Sequence, residues 1–263
     1  MLLSKPESNF KISKNLKENY NTYSLNFAHS DISGFNVCAM ANRLSKNENN
    51  SKKSNCSSDC VGYNGNAQIY RAVMESRIKK TLSYFLDKQS FLNQLVYEVE
   101  KAIIQSNKKG LKPSFRLNAY SDIQFEKDII KDNKNIFQLF PDVKFYDYSK
   151  LINRKTPKNY QLTYSHHNPD FKDTIIALNK GLNVAIVFEK LPKQIKINNK
   201  IYSVLDGDKT DLRIDETDKQ GNNCIIGLKF KKGNKKSVTY QDALKKAVQE
   251  GFCLSVNNQS LIY

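Results

Sequence analysis

The chain has 263 residues, and its 42 Lys and Arg against 26 Asp and Glu leave a formal net charge of +16. Hydrophobic residues make up 39% of it, enough for a real core, while 10 Gly and 6 Pro are too few for a collagen-like or low-complexity chain. No stretch reaches the roughly 18–20 consecutive apolar residues of a membrane span, and the opening MLLSKPESNF lacks the apolar core of a secretory signal, so a soluble cytoplasmic protein is expected. Of the basic residues 36 are Lys and only 6 are Arg, and Asn numbers 30. Lys and Asn rise together in AT-rich coding sequences with no selection for binding. The charge therefore permits a polyanionic partner without requiring one, and the scarcity of Arg forks weighs against base-specific readout.

Residues 1–19 are polar and rich in Lys and Asn, which predicts a basic arm ahead of a single domain over residues 20–263. Residues 21–28 alternate, with Tyr23, Leu25 and Phe27 on one face, the pattern of a short strand. From 29 to 66 no period survives among Ser, Asn, Lys and Gly, and a loop this long inside a domain is commonly functional. Helical stripes follow at 67–87 and 91–106. Strand-then-helix units come next: a strand at 115–119 and a helix at 123–140, a strand at 143–148 with a short helical piece around Leu151, then a strand at 160–164 and a helix at 173–179 stopped by Gly181. The run 184–188 is apolar throughout, as in a strand buried on both faces. Residues 191–263 carry a hairpin at 194–205 turning at Asn198-Asn199, a strand at 224–230 and a helix at 240–250 closed by Gly251. The alternation predicts an α/β fold, a complete or incomplete TIM-barrel-like parallel barrel with a cysteine-bearing loop after its first strand.

Polar residues follow each apolar strand core. Arg116 and Leu117 run into Asn118, Ser121 and Asp122; Phe145 runs into Asp147 and Lys150; Tyr164 runs into Ser165, His166 and His167; Leu205 runs into Asp206, Asp208, Asp211 and Arg213. In a parallel sheet these positions share the rim at the C-terminal strand ends, where α/β folds bind ligands and do chemistry. Strand ends become polar loops in any case, yet so many carboxylates give an acidic patch in a basic chain. Asp122, Asp147 and Lys150 are the expected catalytic residues. Arg116, Asn118, Ser121, Ser165, Asp206, Asp208, Asp211 and Arg213 are expected to bind substrate or cofactor. Carboxylates around the Gly207 turn suit a hard cation or ribose hydroxyls, although Asp-Gly is also an ordinary turn. Adjacent histidines on a strand face opposite sides, so His166 and His167 read as a surface pair. Neither a P-loop nor a dinucleotide glycine fingerprint is present.

Cys38, Cys56 and Cys60 fall in the long loop, with 17 residues between the first two and three between the last two. Clustered cytosolic cysteines suit a metal or redox role. Three thiolates serve a [4Fe–4S] cluster with one open iron, or zinc with His29 or Asp59 as a fourth ligand; three unrelated thiols are the plain alternative. The order is similar to radical S-adenosylmethionine enzymes, whose cluster loop follows the first barrel strand, although their cysteine spacing is absent. Cys224 and Cys253 read as small core residues.

The segments NVCAMA, CSSDCVGYNGNAQ, VMESRIKKTLSYF, RLNAYSDIQFEK, LFPDVKFYDYSKLINR, NYQLTYS, GLNVAIVF and VLDGDKTDLR resemble, in order over residues 36–230, the gene product 88 domain family of bacteriophages. The family's three cysteines correspond to Cys38, Cys56 and Cys60, here with a longer insertion between the first two. Ala119-Tyr120 stands where the family has Gly-Thr, and His166-His167 has no family counterpart. The resemblance implies a phage or mobile-element setting in a host cytoplasm and brings no established activity. The expected function is a metalloenzyme modifying a nucleotide or nucleic acid, with a [4Fe–4S] cluster and S-adenosylmethionine. The alternatives are a deazaguanine-type DNA transglycosylase with structural zinc and Asp122 as nucleophile or base, or a basic nucleic-acid-binding protein using Lys229, Lys231, Lys232, Lys235 and Lys236.

Overall fold

Short alternating runs joined by turn residues fold here into one broad sheet. The computed structural model describes residues 1–40, 60, 70–167, 170–232 and 238–255. In chain order the elements are β1 (Leu3–Ser4), α1 (Phe10–Ser13), β2 (Tyr20–Leu25), α2 (Arg71–Leu86), α3 (Lys88–Lys108), β3 (Lys112–Arg116), α4 (Ile136–Leu139), β4 (Lys144–Ser149), β5 (Tyr160–Ser165), α5 (Lys172–Asn179), β6 (Val184–Phe188), β7 (Gln194–Ile197), β8 (Lys200–Asp206), β9 (Ile225–Lys229), α6 (Tyr240–Gln249) and β10 (Cys253–Leu254). The strands lie in the order β1-β2-β3-β4-β5-β6-β9-β8-β7, with β10 on β6. From β2 to β8 every pairing in that order is parallel, and the antiparallel partners β1 and β7 form the two edges. Among the described residues the sheet does not close on itself.

Because β2 to β6 are added one after another in the same direction, right-handed crossovers put their helices on one face. Tyr23 and Leu25 of β2, Phe115 of β3, Phe145 of β4 and Tyr160 of β5 are buried with Leu92, Leu95 and Val99 of α3. Farther along, Tyr164, Val184, Ile186 and Phe188 pack with Ala177 and Leu178 of α5. Pleating sends the intervening residues to the opposite face. Cys224 and Cys253 are buried core residues. The hairpin of β7 and β8 turns at Asn198 and Asn199, both with positive φ, 46° and 64°, as a two-residue turn of this hand requires.

Three expectations change. The segment 123–140 is no continuous helix: a 3₁₀ turn at Phe125–Lys127 leads to a Lys131–Lys134 bridge with Asp132 and Asn133 at positive φ, and only α4 is α-helical. The Asn135 side chain accepts from the N–H groups of Phe137 and Gln138, so the helix starts there and not earlier. Around Leu151 there is a turn, because Asp122 takes the Lys150 N–H at 2.8 Å and Ser149 takes that of Leu151 at 3.0 Å. Residues 1–19 belong to the folded body: β1 pairs with β2, Leu2, Leu3, Ile12 and Asn15 are buried, and Glu98 accepts the Leu2 and Leu3 N–H groups at 2.7–2.8 Å.

Close contact between β8 and β9 demands a glycine at 227. A Cβ there would lie 2.7 Å from Val204 Cγ1 and 2.8 Å from Leu191 Cδ2. Gly227→Ala is expected to lower unfolding stability by about 1–3 kcal/mol, read from the urea midpoint; an unchanged midpoint would show that this contact yields freely.

Candidate functional site

The face of the sheet opposite the helices is polar. It presents Thr22 and Ser24 from β2, Ser114 and Arg116 from β3, Tyr146 and Tyr148 from β4, and Thr163 and Ser165 from β5 (all by pleat alternation). Residues 207–216 leave the end of β8 and lie across this face as a strap, with Leu212 and Ile214 packed on Tyr146. Arg116 Nη1 reaches both oxygens of Asp211 at 3.1 and 2.9 Å, and Tyr146 donates its hydroxyl to the same carboxylate at 3.3 Å. Asn15, fully buried, donates to Thr22 Oγ1 and Tyr146 Oη and accepts from Thr210 Oγ1 and the Asp211 N–H. Arg213 donates to Tyr148 Oη at 2.7 Å and to the carbonyls of Leu212, Gly207 and Thr210, and it pairs with Glu216. The Arg116 guanidinium also lies 5.0 Å above the Tyr148 ring.

Arg116, Asp211 and Arg213 are therefore brought together, engaged by partners within the chain, whereas Asp206 and Asp208 bond to other groups. Asp206 accepts the Asp208 N–H at 3.0 Å, and Asp208 takes Lys231 Nζ at 2.7 Å and the Lys229 N–H at 3.0 Å. Lys231 and Lys229 hold the Asp208 carboxyl below its ordinary pKa despite burial. Between Asp208 and Asp211 the cation is an ammonium of the chain itself: Lys11 Nζ lies 3.9 Å from each carboxylate. Burial lowers the pKa of Lys11. Among the described residues no group of three His, Cys, Asp or Glu side chains is placed to hold a metal.

The other expected residues gather at the C-terminal ends of β3, β4 and β5. Asn118 accepts Ser121 Oγ at 2.7 Å and the Ile123 N–H at 2.8 Å, which shapes the turn after β3. Asp122 is saturated by Ser149 Oγ at 2.7 Å, the Lys150 N–H at 2.8 Å and Arg154 Nη1 at 2.9 Å, and Arg154 also holds Glu126. Asp147 is wholly buried on the helix side and takes the N–H groups of Leu117 and Asn118 and the Tyr160 hydroxyl at 2.9–3.2 Å. Burial pushes its carboxyl up to about 7, against the pull of Arg116 and the Asn118 N–H. These contacts make Asp122 and Asp147 ties between strand ends. Lys150 differs: its ammonium donates to Ser165 Oγ at 3.2 Å, and among the described residues no carboxylate lies within 4.0 Å of it.

The start of the long loop, residues 29–40, lies on the same rim. Val37 donates to Ser30 O at 3.0 Å and accepts the Asp122 N–H at 2.8 Å, which sets the half-buried Cys38 over the turn after β3, its thiol 3.7 Å from Tyr120 O. Arg77 of α2 stacks 4.1 Å over the Tyr120 ring. Cys60 is half-buried, and Cys56 lies outside the described residues. The histidines correct the sequence reading. His166 and His167 are 5% and 4% exposed, buried where β5 runs up to α5, and neither is a surface residue. Arg77, Arg154, Asn15, Lys11 and Tyr148 also enter the site region without a motif to announce them, since each is recruited by a partner distant in sequence.

Arg116→Met would leave the Asp211 carboxylate buried without its partner and is expected to cost about 3–5 kcal/mol; a thermal melt within a degree or two of wild type would show the strap is held by other contacts. The pH response has opposing parts. Burial lowers His29 to about 4, His166 to about 3 and His167 to about 4, so their stabilising contribution is present above 6.5 and is lost as pH falls toward 4. The raised Asp147, and Glu216 in the same direction, contribute in the opposite sense, losing stability as pH rises from 3.8 to about 7 for Asp147. Between pH 7 and pH 5 the three rings lose roughly 2 kcal/mol each, which outweighs the carboxyls, so the melting temperature is expected to fall from pH 7 to pH 5. Asp147→Asn is expected to steepen that fall, and a flat profile would contradict the burial of the rings.

No curated protein and no solved structure matches the chain. A family model does match, over a range that takes in residues 1–35 and 231–255, both outside the resemblance carried by residues 36–230. The match to the model described as gene product 88 spans residues 1–255, and the chain belongs to this family of phage gene products.

Proposed function

We propose that the C-terminal mouth of the parallel strands is the active site of an enzyme that modifies a nucleotide or nucleic acid, with Cys38, Cys56 and Cys60 holding a metal centre. The observation that carries this reading is the position of Cys38. Its thiol lies against Tyr120 O, in the turn that also presents Asn118, Ser121 and Asp122. Thiolates are soft donors suited to iron–sulfur clusters and zinc. A [4Fe–4S] cluster on three thiolates would leave one iron open to S-adenosylmethionine and supply one-electron chemistry.

The chain's own residues divide the remaining work. Arg154 and Asp122 fix the turn after β3 against β4, which holds the rim in register. Arg116, stacked on Tyr148 and paired with Asp211, anchors the strap that lies beneath the mouth. Lys150 and Ser165 supply donors at the edge. With both oxygens of Asp122 engaged by Ser149, Lys150 and Arg154, that carboxylate acts as a positioning group, which disfavours base exchange with Asp122 as nucleophile. No helix among the described residues is long and apolar enough to cross a membrane, and a phage gene product working in the host cytoplasm fits this reading.

Protein purified without oxygen is expected to be brown, with about three or more irons per chain, and a Cys38→Ala, Cys56→Ala, Cys60→Ala variant is expected to be colourless. Stoichiometric zinc in a colourless wild-type protein would overturn the cluster, and absence of any bound metal would overturn the metal centre altogether.

A further inference from the structure

We propose that Lys150, Ser165, His166 and His167 form a subsite for a compact oxyanion, the phosphate of a phosphorylated substrate. The proposal rests on the reading of this mouth as a substrate site and names the chemistry it takes. The Lys150 ammonium is directed onto Ser165 Oγ at 3.2 Å and has no carboxylate within ion-pair distance among the described residues. Next in sequence come two imidazoles, each held by one nitrogen. His166 Nδ1 is 2.7 Å from Thr174 Oγ1, and its ring lies against Phe171. His167 Nδ1 is 3.2 Å from Tyr164 Oη and 3.3 Å from Ser165 O. The Nε2 atoms of both rings are buried and have no hydrogen-bond partner among the described residues.

A buried polar atom without a partner costs about 1–3 kcal/mol, and native structures keep few of them. Two on neighbouring residues, beside a lysine with no counter-ion among the described residues, together ask for a polar ligand. With the Thr174 hydroxyl donating to Nδ1, His166 carries its proton on Nε2 as a neutral donor, whereas His167 Nδ1 faces the Ser165 carbonyl and carries the proton itself, which leaves its Nε2 to accept from a protonated phosphate oxygen. Burial, with Lys150 nearby, keeps both rings neutral at pH 7, so the ammonium is the charge and His166 Nε2 and the Ser165 hydroxyl are the directional donors. Among the described residues Asp170 is the one acidic group acting on His167, and it opposes the burial effect. A divalent cation is disfavoured by the ammonium, while an oxyanion has the charge and the lone pairs that an ammonium, a hydroxyl and a ring N–H call for. The terminal phosphate of a nucleotide has that chemistry.

The test follows the histidine ring resonances of the full-length protein by NMR during titration with inorganic phosphate, with chloride at matched ionic strength as the control. Saturable shifts of His166 and His167 are expected, with a dissociation constant on the order of 1 mM. Lys150→Met is expected to weaken binding at least about tenfold, and Lys150→Arg to retain it. Phosphate shifts no larger than those with chloride, or equal affinity in Lys150→Met, would overturn the proposal. Metal content measured on the same samples separates the two readings: phosphate binding in metal-free protein sinks only the cysteine centre, and metal without phosphate binding sinks only this subsite.

Discussion

The pairing of Arg116 with Asp211 is the interaction on which the rest of the molecule depends. A parallel sheet with α2, α3 and α4 on one face leaves the other face to be covered by something else. Here the cover is a strap whose anchor is a carboxylate, at 1% side-chain exposure, set on a guanidinium of β3. Neither charge could be buried alone. Tyr146, Asn15 and Thr210 complete the donors and acceptors around the pair, and Asn15 ties the first nineteen residues into the same network. The pair therefore holds strap, sheet and lead-in together, and it sets the floor beneath the C-terminal mouth.

Charge is distributed differently from what composition suggests. The carboxylates that follow the strands look in the sequence like an acidic rim awaiting a cation. In the fold each has found a donor inside the chain: Asp122 has Arg154, Asp208 has Lys231 and Lys229, and Asp211 has Arg116 and Lys11. Among the described residues the ammonium of Lys150 is left at the mouth without a carboxylate. The mouth is thus suited to an anion, and Cys38 brings a soft donor to the same rim.

The strands were legible because their pattern is local. The apolar run of β6, the alternation in β2 and the Asn198-Asn199 turn between β7 and β8 are each decided by neighbours a few residues away. The segment 123–140 was misleading because Ile123, Phe125, Ile130, Ile136, Phe137 and Phe140 all pack into the first core, and such burial imitates a helical stripe. Asp132 and Asn133 then turn the chain where a helix would have continued it. His166 and His167 were misread because β5 ends at Ser165, so strand alternation does not govern them. Nor does it say that both are covered, which α5 and its approach decide through Thr174 and Phe171.

Sequence alone determined the parallel α/β architecture, the polar ends of its strands and the clustering of three cysteines in one loop, since each depends on spacing along the chain. It also carried the resemblance to the phage family, which the match over residues 1–255 establishes. Only the tertiary structure decided which charges cancel. Arg116 meets Asp211 across 95 positions, and Arg154 meets Asp122 across 32. Ion pairs and buried hydrogen bonds form between groups that the fold brings within about 3 Å, and no local period encodes that distance.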